Sequence, residues 1–218
     1  MADLGPLTAA IERGDRREGT RLTAAAIEAR TSPGPILDAM TSAMAEVGRR
    51  FACGRGVYVP EMLVAARAMK ESMALLQPLL AEEGIVPAHT AVIGTVRGDL
   101  HDIGKNLVAM MWRGAGIAVV DLGVNVAPER FVAALEEHRP ALIGISALLT
   151  TTMGGMADVV AAVRAAGFQA PIVVGGAPVT QEYADEIGAD GFARDAATAV
   201  DVATALIARH AGRVSASA

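Results

Sequence analysis

The spacing of apolar residues changes character near residue 85. Before that point apolar residues recur every three or four positions, as on one helix face. In the last such segment they are Met62, Ala66, Met69, Met73, Leu76 and Leu80. Asp15, Pro33 and Pro60 stand where helices should begin, because Asp caps a helix and Pro loses nothing in its first turn. Residues 1–86 are therefore predicted to form a small four-helix bundle, with helices over Leu7–Arg13, Asp15–Arg30, 33–51 and from Pro60 onward.

From residue 87 onward short β-rich runs alternate with helical stretches. The predicted strands are Thr90–Val96, Ile117–Leu122, Ala141–Ser146, Ile172–Val174 and Gly191–Phe192. The predicted helices are Ile103–Ala115, with Trp112 in the core, Pro128–His138, Thr152–Ala166, Thr180–Ile187 and Ala196–His210. This alternation predicts that residues 87–218 form an α/β domain, a flavodoxin-like or Rossmann-like five-stranded parallel sheet, joined through a linker at Gly84–Pro87. Ligands of such sheets bind beyond the carboxyl ends of the strands, so the loops after strands 1 and 3 should carry the chemistry.

Composition and charge narrow the class of protein. The 218 residues are 52% hydrophobic and 20% charged, which is typical of a globular chain rather than a disordered one. A net charge of −5 argues against a nucleic-acid partner. The single cysteine excludes an internal disulfide and a four-cysteine zinc site. Neither a signal peptide nor a membrane span is recognisable, since the longest uncharged segment, Pro140–Ala157, is rich in threonine and glycine. We expect a cytoplasmic protein.

The loop after the first predicted strand, GDLHDIGKN at 98–106, admits several interpretations. A phosphate-binding loop needs four residues before its Gly-Lys pair and then Ser or Thr, whereas five residues intervene here and Asn106 follows. A receiver domain would place an Asp after strand 3, where Ser146 stands. His101 could instead bind a metal through one ring nitrogen while Asp99 accepts a hydrogen bond from the other. A solvated turn with Asp99 as a helix cap is the alternative that stays open.

Three motifs in order carry a resemblance to a known family. Asp99, His101 and Gly104 form D-x-H-x-x-G; Ser146 and Leu148 follow as S-x-L, and then comes the Gly-Gly pair at 175–176. This series resembles the cobalamin-binding module of methionine-synthase-type proteins. Val47-Gly48, Phe51 and residues 57–63 resemble the four-helix cap of the same proteins. Over nearly its whole length the chain resembles the corrinoid proteins of methyltransferase systems that use methanol, methylamines or aryl methyl ethers.

The resemblance implies a cofactor and a set of contacts. The cofactor would be cobalamin, as methylcobalamin or another corrinoid, with His101 as the lower cobalt ligand and the nucleotide tail inside the α/β domain. Asp99 and Thr152 would form a relay behind His101, although the family usually has serine at the position of Thr152. The implied cofactor contacts are Gly98, Asp99, Leu100, His101, Asp102, Ile103, Gly104, Ser146, Leu148, Thr150, Gly175, Gly176 and Ala177, with Tyr58 and Met62 from the cap. Lys105 either meets the cofactor or is solvated.

The implied function is that of a methyl carrier that is not a complete enzyme by itself. A substrate-specific methyltransferase would load cobalt, a second would pass the methyl group to a thiol or folate, and a reductive activase would restore oxidised cobalt. Two corrinoid alternatives stay open. An adenosylcobalamin-dependent sensor or light receptor usually carries a DNA-binding helix-turn-helix domain, for which this sequence leaves no segment. A mutase component typically lacks the helical cap. A flavin-binding protein would have no use for His101.

Overall fold

The computed structural model describes residues 3–85 and 87–216 and divides into two compact units. The first runs as far as Ala88 and includes Gly114–Gly116, and the second comprises His89–Arg113 and the chain from Ile117 onward. The predicted linker Gly84–Pro87 contains residue 86, which lies outside the described residues. A domain boundary at that residue therefore stays a prediction.

The first unit is helical, as the three-to-four spacing predicts. Its helices are α1 (Gly5–Glu12), α2 (Arg16–Glu28), α3 (Pro33–Ala52) and α4 (Val59–Glu82). Helix α4 packs against each of the other three. The largest side chains that are fully buried in these helices are Leu7, Ile11, Ile36, Met40, Met44, Met62 and Leu76. An aliphatic and methionine core therefore replaces the aromatic residues that the sequence lacks.

The helix starts follow local chemistry. The Asp15 carboxylate accepts a hydrogen bond from the Glu18 backbone N–H at 3.0 Å, which satisfies one of the free donors at the start of α2. Pro33 and Pro60 lie in the first turns of α3 and α4, where a missing N–H costs nothing. These starts confirm the predicted helices to within a residue or two.

The second unit is a five-stranded, all-parallel sheet covered by helices. Its strands are β1 (His89–Thr95), β2 (Ile117–Asp121), β3 (Leu142–Ser146), β4 (Ile172–Gly175) and β5 (Gly191–Ala193), in the order β2-β1-β3-β4-β5. Its helices are α5 (Ile103–Gly114), α6 (Pro128–His138), α7 (Gly154–Ala165), α8 (Gln181–Glu186) and α9 (Ala196–Ala216). The predicted five-stranded parallel sheet is confirmed, and its strand order is the flavodoxin-like one of the two kinds left open by the sequence. Within the described residues, every helix is too short or too polar to span a lipid bilayer.

Two apolar layers hold the helices to the sheet. On one face Phe131 and Leu135 of α6 and Val159 of α7 pack on Val92 and Ile143. On the other face Trp112 of α5 and residues of α9 pack on Ala91, Ile93 and Leu142, and the Trp112 indole N–H donates to the Ala199 carbonyl at 2.9 Å. A side chain at Gly144, in the middle of β3, would lie 2.7 Å from the Trp112 ring, so glycine is needed there. Trp112 is a core residue, as predicted.

The strand register brings the carboxyl ends of three strands level with one another. Thr95 of β1 pairs with Ser146 of β3, and Ser146 pairs with Gly175 of β4. The loops after these strands therefore leave the sheet side by side. One predicted element differs here, because α7 begins at Gly154 rather than Thr152. Thr152 lies in a turn in which its N–H donates to the Leu149 carbonyl at 3.0 Å.

Candidate functional site

The loops after β1 and β3 meet at the carboxylate of Asp99. Its Oδ1 accepts hydrogen bonds from the His101 backbone N–H at 3.0 Å and from the His101 ring Nδ1 at 2.7 Å. Its Oδ2 accepts from the Leu148 N–H at 2.7 Å, the Leu149 N–H at 3.3 Å and the Thr152 hydroxyl at 2.7 Å. Residues about fifty positions apart in the chain thus share one carboxylate, which has no exposed surface.

The electrostatics of this carboxylate follow from those contacts. Burial raises the pKa of Asp99, because it disfavours the charged form. The hydrogen bonds from Leu148, His101 and Thr152 stabilise the charged form and outweigh burial, so the pKa of Asp99 lies well below its ordinary value. Asp99 is therefore an ionised acceptor. The alternative in which Asp99 sits in a solvated turn as a helix cap is wrong, because its oxygens are buried and bind the β3 loop and His101 instead.

The contact with Asp99 determines what the His101 ring can do. A carboxylate can only accept, so Nδ1 carries the ring proton of a neutral histidine and Nε2 keeps its lone pair. The side chain is 50% exposed, and Nε2 has no hydrogen-bond partner among residues 3–85 and 87–216. The hydroxyl of buried Thr95 donates to the His101 carbonyl at 3.0 Å and fixes the peptide as well. His101 therefore presents one oriented nitrogen ligand to solvent.

Exposed apolar side chains lie in the same two loops that meet at Asp99 and at the start of α5. Leu100 and Ile103 are 72% and 73% exposed, and Leu148 and Leu149 are 42% exposed each. They are the large apolar residues exposed on the described part of the second unit. Exposed aliphatic side chains in the loops that hold a free ligand are typical of a binding surface for a large, partly apolar molecule. Leu100, Ile103 and Leu148 are among the predicted contacts. Leu149 is not, although its apolar character beside Leu148 was a signal that could have found it.

The glycines of the motifs serve two different purposes. A Cβ atom at Gly104, in the first turn of α5, would meet no atom from any other part of the fold within 4 Å. That open space fits the prediction that Gly104 leaves room for a ligand. At Gly175 a side chain would lie 2.9 Å from the Ala193 carbonyl, and at Gly176, where φ is +140°, it would collide with the Ala147 carbonyl. The fold itself therefore requires these two glycines, and their contact with a cofactor stays a prediction.

Lys105 is neither solvated nor free. Its side chain is 1% exposed, and Nζ lies 2.6 Å from both carboxylate oxygens of Asp121 at the end of β2. Nζ also donates to the Asn106 amide oxygen at 2.7 Å, and Asp121 accepts from the Gly123 N–H at 2.9 Å. Of the two alternatives left open for Lys105, the solvated one is wrong, because the ammonium is buried and paired with Asp121. This pair ties the start of α5 to the loop after β2.

The other predicted contacts lie around this centre or in the helical unit. Ser146 is half-buried at the end of β3; Thr150 and Ala177 are exposed in the following loops, as are Gly98 and Asp102 in the loop after β1.

In the helical unit Tyr58 is 66% exposed at the start of α4, whereas Met62 is fully buried. Burial of Met62 favours a core role. The Tyr58 side chain is open to a ligand or partner.

The number of protein ligands limits the kind of metal site. No group of three or more His, Cys, Asp and Glu side chains able to hold a metal ion occurs among the described residues. A single oriented histidine suits a metal whose remaining positions are filled by a macrocycle, as a proximal histidine suits haem iron. The exposed aliphatic residues and the space at Gly104 fit such a cofactor.

Comparison with known families agrees with this geometry. The B12 binding domain family matches residues 89–202, and a second B12 binding domain family matches residues 5–77. The chain belongs to the B12-binding proteins.

Particular corrinoid proteins are similar to it. Trimethylamine corrinoid protein 2 of Methanosarcina mazei is 42% identical over 164 residues, 73% of this chain and 75% of that protein. The dimethylamine corrinoid protein of Methanosarcina barkeri is 40% identical over 181 residues, 81% of this chain and 84% of that protein. The methanol:cobalamin methyltransferase complex MtaBC of Methanosarcina barkeri contains a chain that superposes with a TM-score of 0.82 at 32% identity, covering 93% of this chain and 78% of that one.

Proposed function

We propose that this protein is a corrinoid methyl carrier in which His101 is the lower ligand of cobalt. The observation that carries the proposal is the half-exposed His101 ring, held by buried Asp99 in loops that expose aliphatic side chains. The bound corrinoid would supply a cobalt centre that accepts a methyl group from one partner and gives it to another. The residues around His101 orient its ring and determine which ring nitrogen carries the proton.

Asp99 and Thr152 set the state of the ligand. The charged carboxylate keeps the proton of His101 on Nδ1 and makes Nε2 a better donor to a metal. The Thr152 hydroxyl lies 2.7 Å from Asp99 Oδ2 and 2.9 Å from the Leu149 carbonyl oxygen, yet it has one proton to donate. When that proton turns to Leu149, the hydroxyl oxygen can accept a proton held on Asp99. Thr152 can therefore support the carboxylate in both protonation states, which a relay that responds to ligation of His101 requires.

Partners follow from the same role. The similar proteins carry names of trimethylamine and dimethylamine systems and of a methanol:cobalamin methyltransferase complex. For this chain we propose one substrate-specific methyltransferase, a second methyltransferase that takes the methyl group to a thiol or folate, and a reductive activase. The methyl donor is a property of the first partner. A cytoplasmic location, without nucleic-acid or membrane partners, belongs to the proposal.

The test is reconstitution of the full chain with methylcobalamin, compared with the variants His101→Ala and His138→Ala. His138 lies at the exposed end of α6 and serves as the matched control. We expect wild type and His138→Ala to give the absorption spectrum of histidine-ligated cobalamin, and His101→Ala to give the form without a nitrogen ligand. An unchanged spectrum of His101→Ala would remove His101 as the ligand. Methyl transfer to a thiol, compared with adenosylcobalamin binding and illumination, separates a carrier from a light-dependent sensor.

Gly104 gives a second test of the same site. Because a Cβ there meets no other part of the fold, Gly104→Val should leave the melting temperature of the cofactor-free protein almost unchanged. We expect its Kd for cobalamin to rise by at least tenfold. Gly212→Val, in an equally open position on α9, is the control and should bind cobalamin normally. Equal binding by both variants would mean that the space at Gly104 is not used.

A covering role of the helical unit completes the proposal. Tyr58 is the most exposed aromatic side chain near the start of α4, so Tyr58→Ala should cost little stability. We expect bound methylcobalamin to lose its methyl group faster in light in this variant than in Leu75→Ala, which alters an exposed residue farther along α4. Equal photolysis rates would remove Tyr58 from the cofactor contacts.

A further inference from the structure

The loop between β2 and α6 contains a residue in an unusual backbone conformation. Asn125 has φ of +54°, and besides glycine only Arg30 and Arg139 share a positive φ in the described chain. Asparagine tolerates this left-handed region better than most residues. The Asn125 side chain is exposed and adds nothing to the core. A strained, exposed position that core packing does not explain calls for another reason.

The contacts of Asn125 supply that reason. Its amide oxygen accepts a hydrogen bond from the Gly98 N–H at 2.8 Å, and its own backbone N–H donates to the Asp99 carbonyl at 2.9 Å. These two bonds close a ring with the backbone of Gly98 and Asp99, from the N–H of the first residue to the carbonyl of the second. The left-handed backbone lets the side chain and the N–H of Asn125 bond the two ends of this dipeptide.

This ring complements the contacts on the other side of Asp99. The carboxylate is held by the β3 loop through Leu148 and Thr152, whereas the backbone is held by the β2 loop through Asn125. The loop after β2 also runs along the end of β1, since the Val126 N–H donates to the Thr95 carbonyl at 2.9 Å. The direction of the Asp99 side chain, and with it the direction of the His101 ring, depends on both anchors.

We propose that Asn125 is a positioning residue for His101, acting through the backbone of Gly98 and Asp99. The inference deepens the proposed function, because it rests on His101 as the cobalt ligand. Removal of a residue that holds a metal ligand in place typically changes metal affinity by about 10- to 100-fold. We expect the effect of losing the Asn125 side chain to lie at the low end of this range, because Asn125 contacts the backbone of Gly98 and Asp99 and not the His101 ring.

The first experiment uses the full chain without cofactor. Asn125→Gly keeps the left-handed backbone but removes the amide oxygen, and Asn125→Asp keeps both an acceptor and tolerance of that backbone. At one fixed pH, nitrogen NMR should show the ring signals of His101 shifted or broadened in Asn125→Gly and largely restored in Asn125→Asp. Arg139→Gly relaxes another left-handed residue, at the end of α6, and should leave these signals in place. His101 signals in Asn125→Gly identical to those of wild type, or equal changes in both Asn125 variants, would overturn the proposal.

The second experiment uses the cobalamin-loaded protein. We expect Asn125→Gly to raise the Kd for cobalamin about tenfold and to weaken the nitrogen splitting in the cobalt(II) EPR spectrum. In the His101→Ala background the same change should have almost no effect on the Kd. If His101→Ala abolishes nitrogen ligation while Asn125→Gly alters neither Kd nor EPR, the positioning role fails and the proposed function stands. If Asn125→Gly shifts the NMR signals but His101→Ala leaves the spectrum of bound cobalamin unchanged, the proposed function fails instead.

Discussion

Two charged groups of the second unit, Asp99 and Lys105, lie six positions apart and are buried to almost the same degree. Asp99 is surrounded by five donors that carry no charge when the His101 ring is neutral. Lys105 is paired with an opposite charge on Asp121 and with the Asn106 amide. One charge is stabilised by dipoles and the other by a counter-ion.

The difference shows which charge can take part in chemistry. In the Lys105–Asp121 pair each charge satisfies the other, and the pair serves as an anchor between α5 and β2. Around Asp99 the backbone and hydroxyl dipoles offset the free-energy cost of burying the carboxylate. Its negative charge is not neutralised by a counter-ion and can therefore polarise the histidine beside it. Substitutions at the two centres should therefore separate stability from ligand chemistry.

The largest effect is expected for Asp99→Asn. The amide nitrogen would face donors where the carboxylate accepts, and the network would lose its charge. We expect the free energy of unfolding of the cofactor-free protein to fall by about 3 kcal/mol, and the Kd for cobalamin to rise about 10- to 100-fold. Urea denaturation and equilibrium binding measure the two quantities. Wild-type affinity in a destabilised Asp99→Asn would show that Asp99 serves the fold alone.

Lys105→Met should lower stability without touching ligation. Breaking a fully buried ion pair costs about 3–5 kcal/mol, but Asp121 is 27% exposed and can be hydrated, so we expect about 2 kcal/mol. The spectrum of bound methylcobalamin should stay that of the histidine-ligated form. A spectrum without the nitrogen ligand would contradict the anchor role and place Lys105 in the site itself.

Thr152 tests the smaller contribution of a single neutral donor. Thr152→Val keeps the shape but removes the hydroxyl, and we expect a loss of about 1 kcal/mol in unfolding free energy. Thr152→Ser keeps the hydroxyl and should remain within about 0.5 kcal/mol of wild type. The reduction potential of bound cobalt should shift in the valine variant and not in the serine variant. Equal potentials in both would exclude a relay through this hydroxyl.

The acid dependence of stability tests the charge on Asp99 without a change at any other residue. The pKa of Asp99 is lowered in the folded chain from an ordinary value of 3.8, so its contribution is complete above that pH. As the pH falls below that value the unfolded chain takes up the proton first, and stability is lost by about 1.4 kcal/mol per pH unit. The difference in unfolding free energy between wild type and Asp99→Asn should be constant from neutral pH down to about 5 and shrink below about 4. A constant difference down to pH 3 would mean that the carboxylate is not stabilised as the hydrogen bonds indicate.

Much of this could be predicted from the sequence because the signals are local. Helix starts at Asp15 and Pro33, the alternation of strands with helices, and the D-x-H-x-x-G spacing each lie within a few residues. The relay partner Thr152 came from the family resemblance. The structure brings its hydroxyl to Asp99 across 53 positions of sequence, although it places the residue in a turn rather than a helix.

The rest depends on contacts between distant segments. Asn125 reaches Gly98 across 27 positions, and Lys105 reaches Asp121 across 16. No local pattern distinguishes Lys105 from a solvated lysine, because its burial is decided by where β2 ends. The need for glycine at position 176 could not be predicted either, because a side chain there would collide with the Ala147 carbonyl in the loop after β3. Register across the sheet, rather than residue type, decides these roles.

The exposed leucines and isoleucine around His101 have a consequence for the life of the empty protein. Four aliphatic side chains are exposed to water in the loops at the carboxyl ends of the strands, a surface prone to self-association. If bound corrinoid covers these side chains, protein made in excess of corrinoid should aggregate. Supplying corrinoid during expression should then raise the yield of dispersed protein.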